Sequence, residues 1–296
     1  MNSPLTPAIA RGASRPELEF TPLDSSDAGQ IERELGIAER LYNLTWLRRA
    51  GVLAVLILAW ELYARYLDNA LLFPSFTDVL VAWWHGVLSG VLPARVWGSL
   101  KVLVVAYAIA VSLAGVLTTL AVSHRLGTDL LMTLTTMFNP LPAIALLPLA
   151  MLWFGLGPIS LIFVIVHSVL WAVTLNTHTG FLATSQTLRM AGRNYGLEGV
   201  RLVINILIPA AFPSILTGLK IGWAFAWRTL IAAELVFGVS GSSGGLGWYI
   251  FENRNALETA NVFAGLATVI LIGLFVEGVI FGFIENRTVK RWGMQH

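Results

Sequence analysis

The chain reads as an all-α membrane protein that crosses the bilayer six times. Composition is the first reason. Of its 296 residues 56% are hydrophobic and only 12% charged, with a mean hydropathy of +0.73, whereas a soluble domain carries about 25% charged residues. Six apolar stretches are the second. They lie near 50–67, 97–123, 130–154, 158–180, 210–238 and 261–284, each close to the ~20 residues a membrane helix needs. Charge placement is the third. Of 19 Lys and Arg, 13 fall on the side that holds the N-terminus and residues 124–129, 184–209 and 285–291. Arg65, Arg95, Lys101 and Arg254 fall on the other side, while Lys220 and Arg228 lie inside the fifth span. Basic residues collect on the cytoplasmic side of a membrane protein, so both termini are expected in the cytoplasm.

Taken in chain order, residues 1–30 are rich in Pro, Ser and Ala and lack an apolar signal region. They predict a disordered cytoplasmic tail. Over 31–49, Ile31, Leu35, Ala38, Tyr42, Thr45 and Trp46 recur near helical spacing. This predicts an amphipathic helix on the membrane face, with the Trp46-Leu47-Arg48-Arg49 junction at the interface. The first span follows and contains Glu61 and Arg65. The third holds Asn139, Pro140, Pro142 and Pro148. Each proline removes a backbone donor, so a kink is expected there. On the fourth span His167, Asn176 and His178 read as packing residues, and on the sixth Glu277 reads as one end of an interhelical bond. The run "GSSGGLG" (241–247) reads as a flexible loop on the outer side. Trp153, Trp248 and Tyr249 suit the outer aromatic belt.

Several classes of activity find no support. With no Cys there are no disulfides, thiol nucleophiles or thiolate metal sites. The chain has no G-x-x-x-x-G-K-[ST], so it has no P-loop of its own. HExxH and GxSxG are absent, and His85, His124, His167, His178 and His296 are not at ligand spacing. A membrane enzyme is therefore unsupported. A net charge of +2 makes no case for nucleic acid.

A polar segment interrupts the apolar runs: "RMAGRNYGLEGVRLVINILIP", residues 189–209. Met190-Ala191-Gly192 is followed after three residues by Gly196 and after nine more by Ile206-x-Ile208-Pro209. This resembles the EAA motif of ABC importer permeases, E-A-A-x3-G-x9-I-x-L-P, with Met190 in place of the Glu, Gly192 of the second Ala and Ile208 of the Leu. "NPLPAIALLPLAMLWFGLGP" (139–158), "IPAAFPSILTGLKIGWAFAWRTLIAAEL" (208–235) and "GGLGWYI" (244–250) are similar to the nitrate/sulfonate/taurine-type branch of that family. The resemblance covers residues 50–292.

The resemblance implies a type I importer permease fold over 50–292. It implies a second copy of the chain, two ATPase subunits on the cytoplasmic face and a periplasmic or lipid-anchored binding protein outside. The setting implied is the bacterial cytoplasmic membrane. ATP and Mg would bind the ATPase, with no cofactor in this chain. Residues 184–209 would form the segment that docks on the ATPase, with Met190, Ala191, Gly192, Arg193, Gly196 and Pro209 as coupling residues. Gly196 would permit a sharp turn, and Pro209 would restart the chain into span five.

The expected pathway for a small, anionic solute runs past Asn139, Pro142, Lys220, Arg228 and Glu234. Irregular backbone at membrane depth is tolerated where it lines a cavity, and intramembrane charges usually face a cavity or a partner. Arg228 lies 16 residues beyond Phe212, about 24 Å along a helix, and Lys220 about 12 Å. The eight residues between them turn the helix by about 80°, so both can border one cavity. A guanidinium suits carboxylate or sulfonate oxygens. Pairing of Arg228 with Glu234 or Glu61 is the structural alternative. Rival functions are a permease for a neutral or cationic vitamin precursor and an ATP-independent secondary transporter.

Overall fold

The computed structural model describes residues 43–237 and 244–291. The expected tail 1–30 and residues 31–42 of the expected interfacial helix lie outside the described residues. The chain divides into two units, residues 1–55 and 56–296. The described part of the first unit exposes Trp46, Val52, Leu53 and Val55.

Every regular element among the described residues is helical. Helix α1 runs Thr45–Leu67. It includes 45–49, with no proline between Trp46 and Leu67 to break it, so 45–49 is continuous with the first apolar stretch. Helix α2 is Phe76–Leu88, started by the Ser75 cap on the Asp78 N–H, and α3 is Val91–Ser123. Helix α4 is Arg125–Phe138. A short turn at Ala143–Leu146 leads into α5, Leu147–Phe154, and α6 is Pro158–Ala183. At one end of the bundle lie α7 (Gln186–Asn194), α8 (Gly199–Leu202), a wide helical turn at Val203–Leu207 and α9 (Ile208–Ala210). Helix α10 is Phe212–Phe237 and α11 is Leu246–Asn255. Helix α12 is Thr259–Phe275, continued through Val276–Phe281 into α13, Gly282–Arg287.

Four helices are long and apolar enough to cross a membrane, and six spans result if each of two bent pairs counts as one. The first bent pair is α4 with Ala143–Phe154, turned by 86°. Pro140 and Pro142 cause the break, since neither can donate and each disfavours helix in the residue before it. Pro148 does not contribute to it. It sits in the first turn of α5, where a missing N–H costs nothing. The second pair is 199–210 with α10, turned by 80°. Its corner is at Ala211, two residues past Pro209, so Pro209 precedes the turn rather than making it.

The core is a close meeting of α3, α6 and α10. Leu103, Ala106, Ala110 and Ala114 line the buried face of α3, and Leu161, Val164 and Ile165 that of α6. Helix α10 approaches α6 through Ser214, Gly218 and Gly222, one turn apart. A Cβ on Gly218 would fall 2.7 Å from Asn176, and one on Gly222 2.9 Å from Val173. Small residues at this spacing let two membrane helices touch backbone to backbone. The Tyr107 hydroxyl ties α3 to α10 by donating to the Leu219 carbonyl at 2.8 Å.

Candidate functional site

Four places concentrate the polar residues. At the end of the bundle that carries Arg125, Arg189, Arg193, Arg201 and Arg287, the polar segment folds into α7–α9. The Ser185 hydroxyl caps α7 by accepting from the Leu188 N–H. The helix closes after Asn194 with paired bonds, Leu197 N–H to the Gly192 carbonyl at 3.0 Å and Gly196 N–H to the Arg193 carbonyl at 2.8 Å. This is a Schellman ending, and Gly196 has the positive φ of +74° that it requires. Gly192 is buried against Leu202 and Ile206, where a Cβ would sit within 2.8 and 3.0 Å. Met190 and Ala191 are exposed beside Leu188 and Tyr195. Arg193 borders a hollow with Glu198 and Leu202, while Arg189 turns back to donate to the Phe181 carbonyl.

The break between α4 and the Ala143 turn opens a pocket of about 210 Å³. Asn139 and Pro142 lie at its exposed rim. His167, Ser168 and Trp171 of α6 and Thr229 of α10 complete it. Both ring nitrogens of His167 and the indole nitrogen of Trp171 are buried without a hydrogen-bond partner. Phe138 stacks on Trp171, with ring centroids 5.4 Å apart.

A second, wider groove of about 470 Å³ lies between α10 and the α12–α13 region. Lys220, Arg228 and Glu277 all border it, with Trp223, Phe225 and Phe281. Lys220 is ion-paired with Glu285. Arg228 is exposed. It donates to the Ala224 carbonyl of its own helix at 3.1 Å and lies over the Phe225 ring. Neither carboxylate considered as its partner pairs with it. Glu61 binds Arg65 and Thr77, and Glu234 is elsewhere. Glu277, expected to bond between helices, is exposed at the groove. Phe225 borders both the groove and the His167 pocket.

Glu234 borders neither cavity. It is fully buried and accepts from the Ser99 hydroxyl at 2.8 Å and the Gly247 N–H at 2.8 Å. The Leu246 N–H donates to the same hydroxyl at 2.8 Å. Glu234 and Ser99 together cap the start of α11. The described part of the glycine run is therefore packed: a Cβ on Gly245 would collide with Glu234 and Ser99, and one on Gly247 would fall 2.6 Å from the Ile231 carbonyl. Residues 241–243 of that run lie outside the described residues.

Of the sequence-predicted site residues, the fold thus joins Asn139 with Pro142, joins Lys220 with Arg228, and sets Glu234 apart. Sequence reasoning missed His167, Trp171 and Thr229 as pocket residues. The available signal was the spacing of His167 and Trp171, four apart on a helix whose polar residues were read singly.

Comparison with known proteins gives a consistent picture. Residues 111–290 match the family described as binding-protein-dependent transport system inner membrane component. The taurine transport system permease protein of Escherichia coli is 29% identical over 238 residues, covering 77% of this chain and 83% of the relative. The nitrate import permease protein of Synechocystis is 28% identical over 275 residues, covering 90% of this chain and 98% of the relative.

Proposed function

The chain belongs to the family of binding-protein-dependent transport system inner membrane components, and from that membership we propose that it is the six-span permease subunit of an ATP-driven importer for a small anion such as nitrate, taurine or another sulfonate. Two copies form the pathway, and two separate ATPase subunits bind at the basic end, which faces the cytoplasm. A binding protein delivers solute at the opposite end. The chain itself breaks no bond.

The observation that carries the coupling role is the fold of residues 186–210. Gly192 locks α7 onto the Leu202–Ile206 stretch, and 199–210 turns by 80° into α10. A push on the exposed Leu188–Met190 face is therefore transmitted as a movement of α10, the helix that carries Arg228. Met190 supplies an apolar contact to the ATPase where relatives of the motif supply a carboxylate. The names of the relatives and the Arg228 groove support the anion. A guanidinium exposed at membrane depth, bonded only within its own helix among the described residues, attracts negative charge from the delivery side.

Uptake of labelled taurine, nitrate or methanesulfonate by proteoliposomes holding the chain with its ATPase and binding protein tests the reading. Uptake is expected to need ATP and to stop when the P-loop Lys of the ATPase is changed. Uptake that persists without ATP refutes it. Arg228→Gln is expected to lower uptake of the anion about tenfold, the value of one charge-assisted hydrogen bond. Unaltered transport by that variant removes Arg228 from the pathway.

A further inference from the structure

Arg228 and Glu277 are opposite charges on one groove, and they are not paired. The groove between α10 and the α12–α13 region encloses about 470 Å³ and is bordered by both. Both side chains are exposed. The ion pairs among the described residues join Arg65 to Glu61, Arg95 to Glu252 and Lys220 to Glu285. Lys220 is therefore neutralised by its partner. Arg228 and Glu277 remain as the uncompensated charges of the groove, one of each sign.

The two charges stand at the same depth on facing walls. Contacts on either side of them fix the register. Toward the basic end, Lys220 of α10 meets Glu285 of α13. Farther along, the Trp227 indole donates to the Val269 carbonyl at 3.2 Å, and a Cβ on Gly273 would lie 3.9 Å from the same nitrogen. The two helices thus run antiparallel. Glu277 lies between Glu285 and Gly273. The Arg228 guanidinium lies between Lys220 and Trp227, because it folds back to the Ala224 carbonyl at 3.1 Å. Ala224 is 12 residues from Phe212, and Glu277 is ten from Arg287. That is about 18 and 15 Å from the same end of the bundle, within the membrane-spanning part of both helices.

The backbone of the sixth span accounts for the position of Glu277. It sits on the wide helical turn Val276–Phe281. In a regular helix the eight residues from Glu277 to Glu285 turn the side chain by about 80°. One extra residue in a wide turn takes back about 100°, which leaves the two carboxylates about 20° apart. Glu277 thereby shares the face that Glu285 presents to α10. Such turns concentrate at functional sites. Across the groove the Arg228 guanidinium lies over the Phe225 ring, 5.5 Å from its centre, and bonds its own helix instead of crossing to Glu277.

This arrangement of charge selects the ligand. A charge at membrane depth is costly unless it meets a partner. A plain anion held by Arg228 adds a second negative charge opposite Glu277, and a plain cation held by Glu277 does the converse opposite Arg228. A solute with both an ammonium and an oxyanion answers both and leaves the groove neutral. The guanidinium fork takes two oxygens of a carboxylate or sulfonate. The Glu277 carboxylate takes the ammonium, and the Trp223 ring on the same groove suits a cation. The volume falls within the ~300–1,000 Å³ of small-molecule sites. We propose that this groove binds a compact zwitterion, an amine joined by a short chain to a carboxylate or sulfonate, with Arg228 on the oxyanion and Glu277 on the ammonium. The site rests on the reading of the chain as a permease whose solute passes Arg228. It adds Glu277 as the residue that separates amino acids and amino sulfonates from nitrate and unsubstituted sulfonates.

Binding to the full-length chain in nanodiscs, read by saturation-transfer NMR, tests the site. The probes are β-alanine and taurine as zwitterions, methanesulfonate as a plain anion and methylammonium as a plain cation. The wild type is expected to bind the zwitterions about tenfold more tightly than either plain ion. Glu277→Gln is expected to weaken the zwitterions about tenfold, the value of one charge-assisted hydrogen bond, without weakening methanesulfonate. Glu277→Asp is expected to keep most of the preference. Methanesulfonate bound as tightly as the zwitterions by the wild type overturns the site. So does a Glu277→Gln chain whose unfolding temperature falls while every affinity stays the same, since Glu277 then serves only the fold. ATP-driven uptake of labelled taurine by proteoliposomes holding the chain, its ATPase and its binding protein separates the two readings. Uptake without binding of any probe overturns the site and leaves the transport reading intact. The expected binding preference without ATP-driven uptake upholds the site and overturns the transport reading. Neither binding nor uptake overturns both.

Discussion

Glu234 and Arg228 lie six residues apart on one helix and have opposite fates. On α10 six residues rotate a side chain by about 240°, so one carboxylate enters the core and one guanidinium stays on the groove. Glu234 holds the start of α11 through Ser99 and the Gly247 N–H. Glu234→Ala strands those donors, at about 1–3 kcal/mol each, and is expected to lower the thermal unfolding temperature of the purified protein. Gly245→Ala should do the same by collision, since a Cβ there meets the Glu234 carboxylate. An unfolding temperature equal to wild type in both variants would show that the cap contributes nothing. The charge of Glu234 was visible in the sequence, but its burial was not, because Ser99 lies 135 positions away. The glycines at 245 and 247 were legible only as flexibility. Their use is close approach of backbone to a carboxylate, which needs the partner to be seen.

At the scale of elements, the coupling segment shows how closely spacing and geometry correspond. The interval from Gly192 to Gly196 is one helical turn and its Schellman ending, and the interval to Ile206 brings that side chain back onto Gly192. Gly192→Val puts a branched side chain where Leu202 and Ile206 already sit. It is expected to uncouple ATP hydrolysis from uptake: ATPase activity of the complex persists while transport falls severalfold. Loss of ATPase association, read by co-purification, would instead mean that α7 is displaced altogether. Gly196→Ala keeps the contacts but forces φ of +74° on a residue with a Cβ, at a cost of about 1–2 kcal/mol. A milder version of the same defect is expected. The kink in the third span was legible from Pro140 and Pro142, because proline acts through its own backbone. The bend at Ala211 was not, since Pro209 is the visible breaker and the corner depends on how 199–210 lies against the bundle end.

For the whole molecule, the 13-to-4 distribution of basic residues predicts which end faces the cytoplasm. The chain has no Cys, so single cysteines report topology without a background. Tyr195→Cys, at a site 87% exposed, is expected to react with a membrane-impermeant maleimide only from the cytoplasmic side. Asn255→Cys, exposed at the end of α11, is expected to react only from outside. The reverse pattern would invert the orientation and move the ATPase face to the other end. The Lys220–Glu285 pair links α10 to α13. Lys220→Glu is expected to impair transport and the exchange Lys220→Glu with Glu285→Lys to restore part of it, measured as uptake rate. An equal defect in single and double variants would mean that the lysine itself serves the solute.

Hydropathy and helical length are properties of each segment alone, so the sequence by itself determined that the chain is a helical membrane protein and which stretches are apolar enough to span. Fixed spacing likewise marked residues 190–209 before any fold was known. Which polar residues meet was decided only by the tertiary structure. Arg228 and Lys220 share a groove with Glu277 across α10 and the α12–α13 region, His167 faces the α4 break, and Glu234 meets Ser99. Those meetings depend on how far α10 is rotated against α3 and α6, and that rotation is set by Ser214, Gly218 and Gly222 closing on Gly180, Asn176 and Val173. Small residues four apart say that two helices can touch; the partner's surface decides which face turns inward and which cations are left at the cavity.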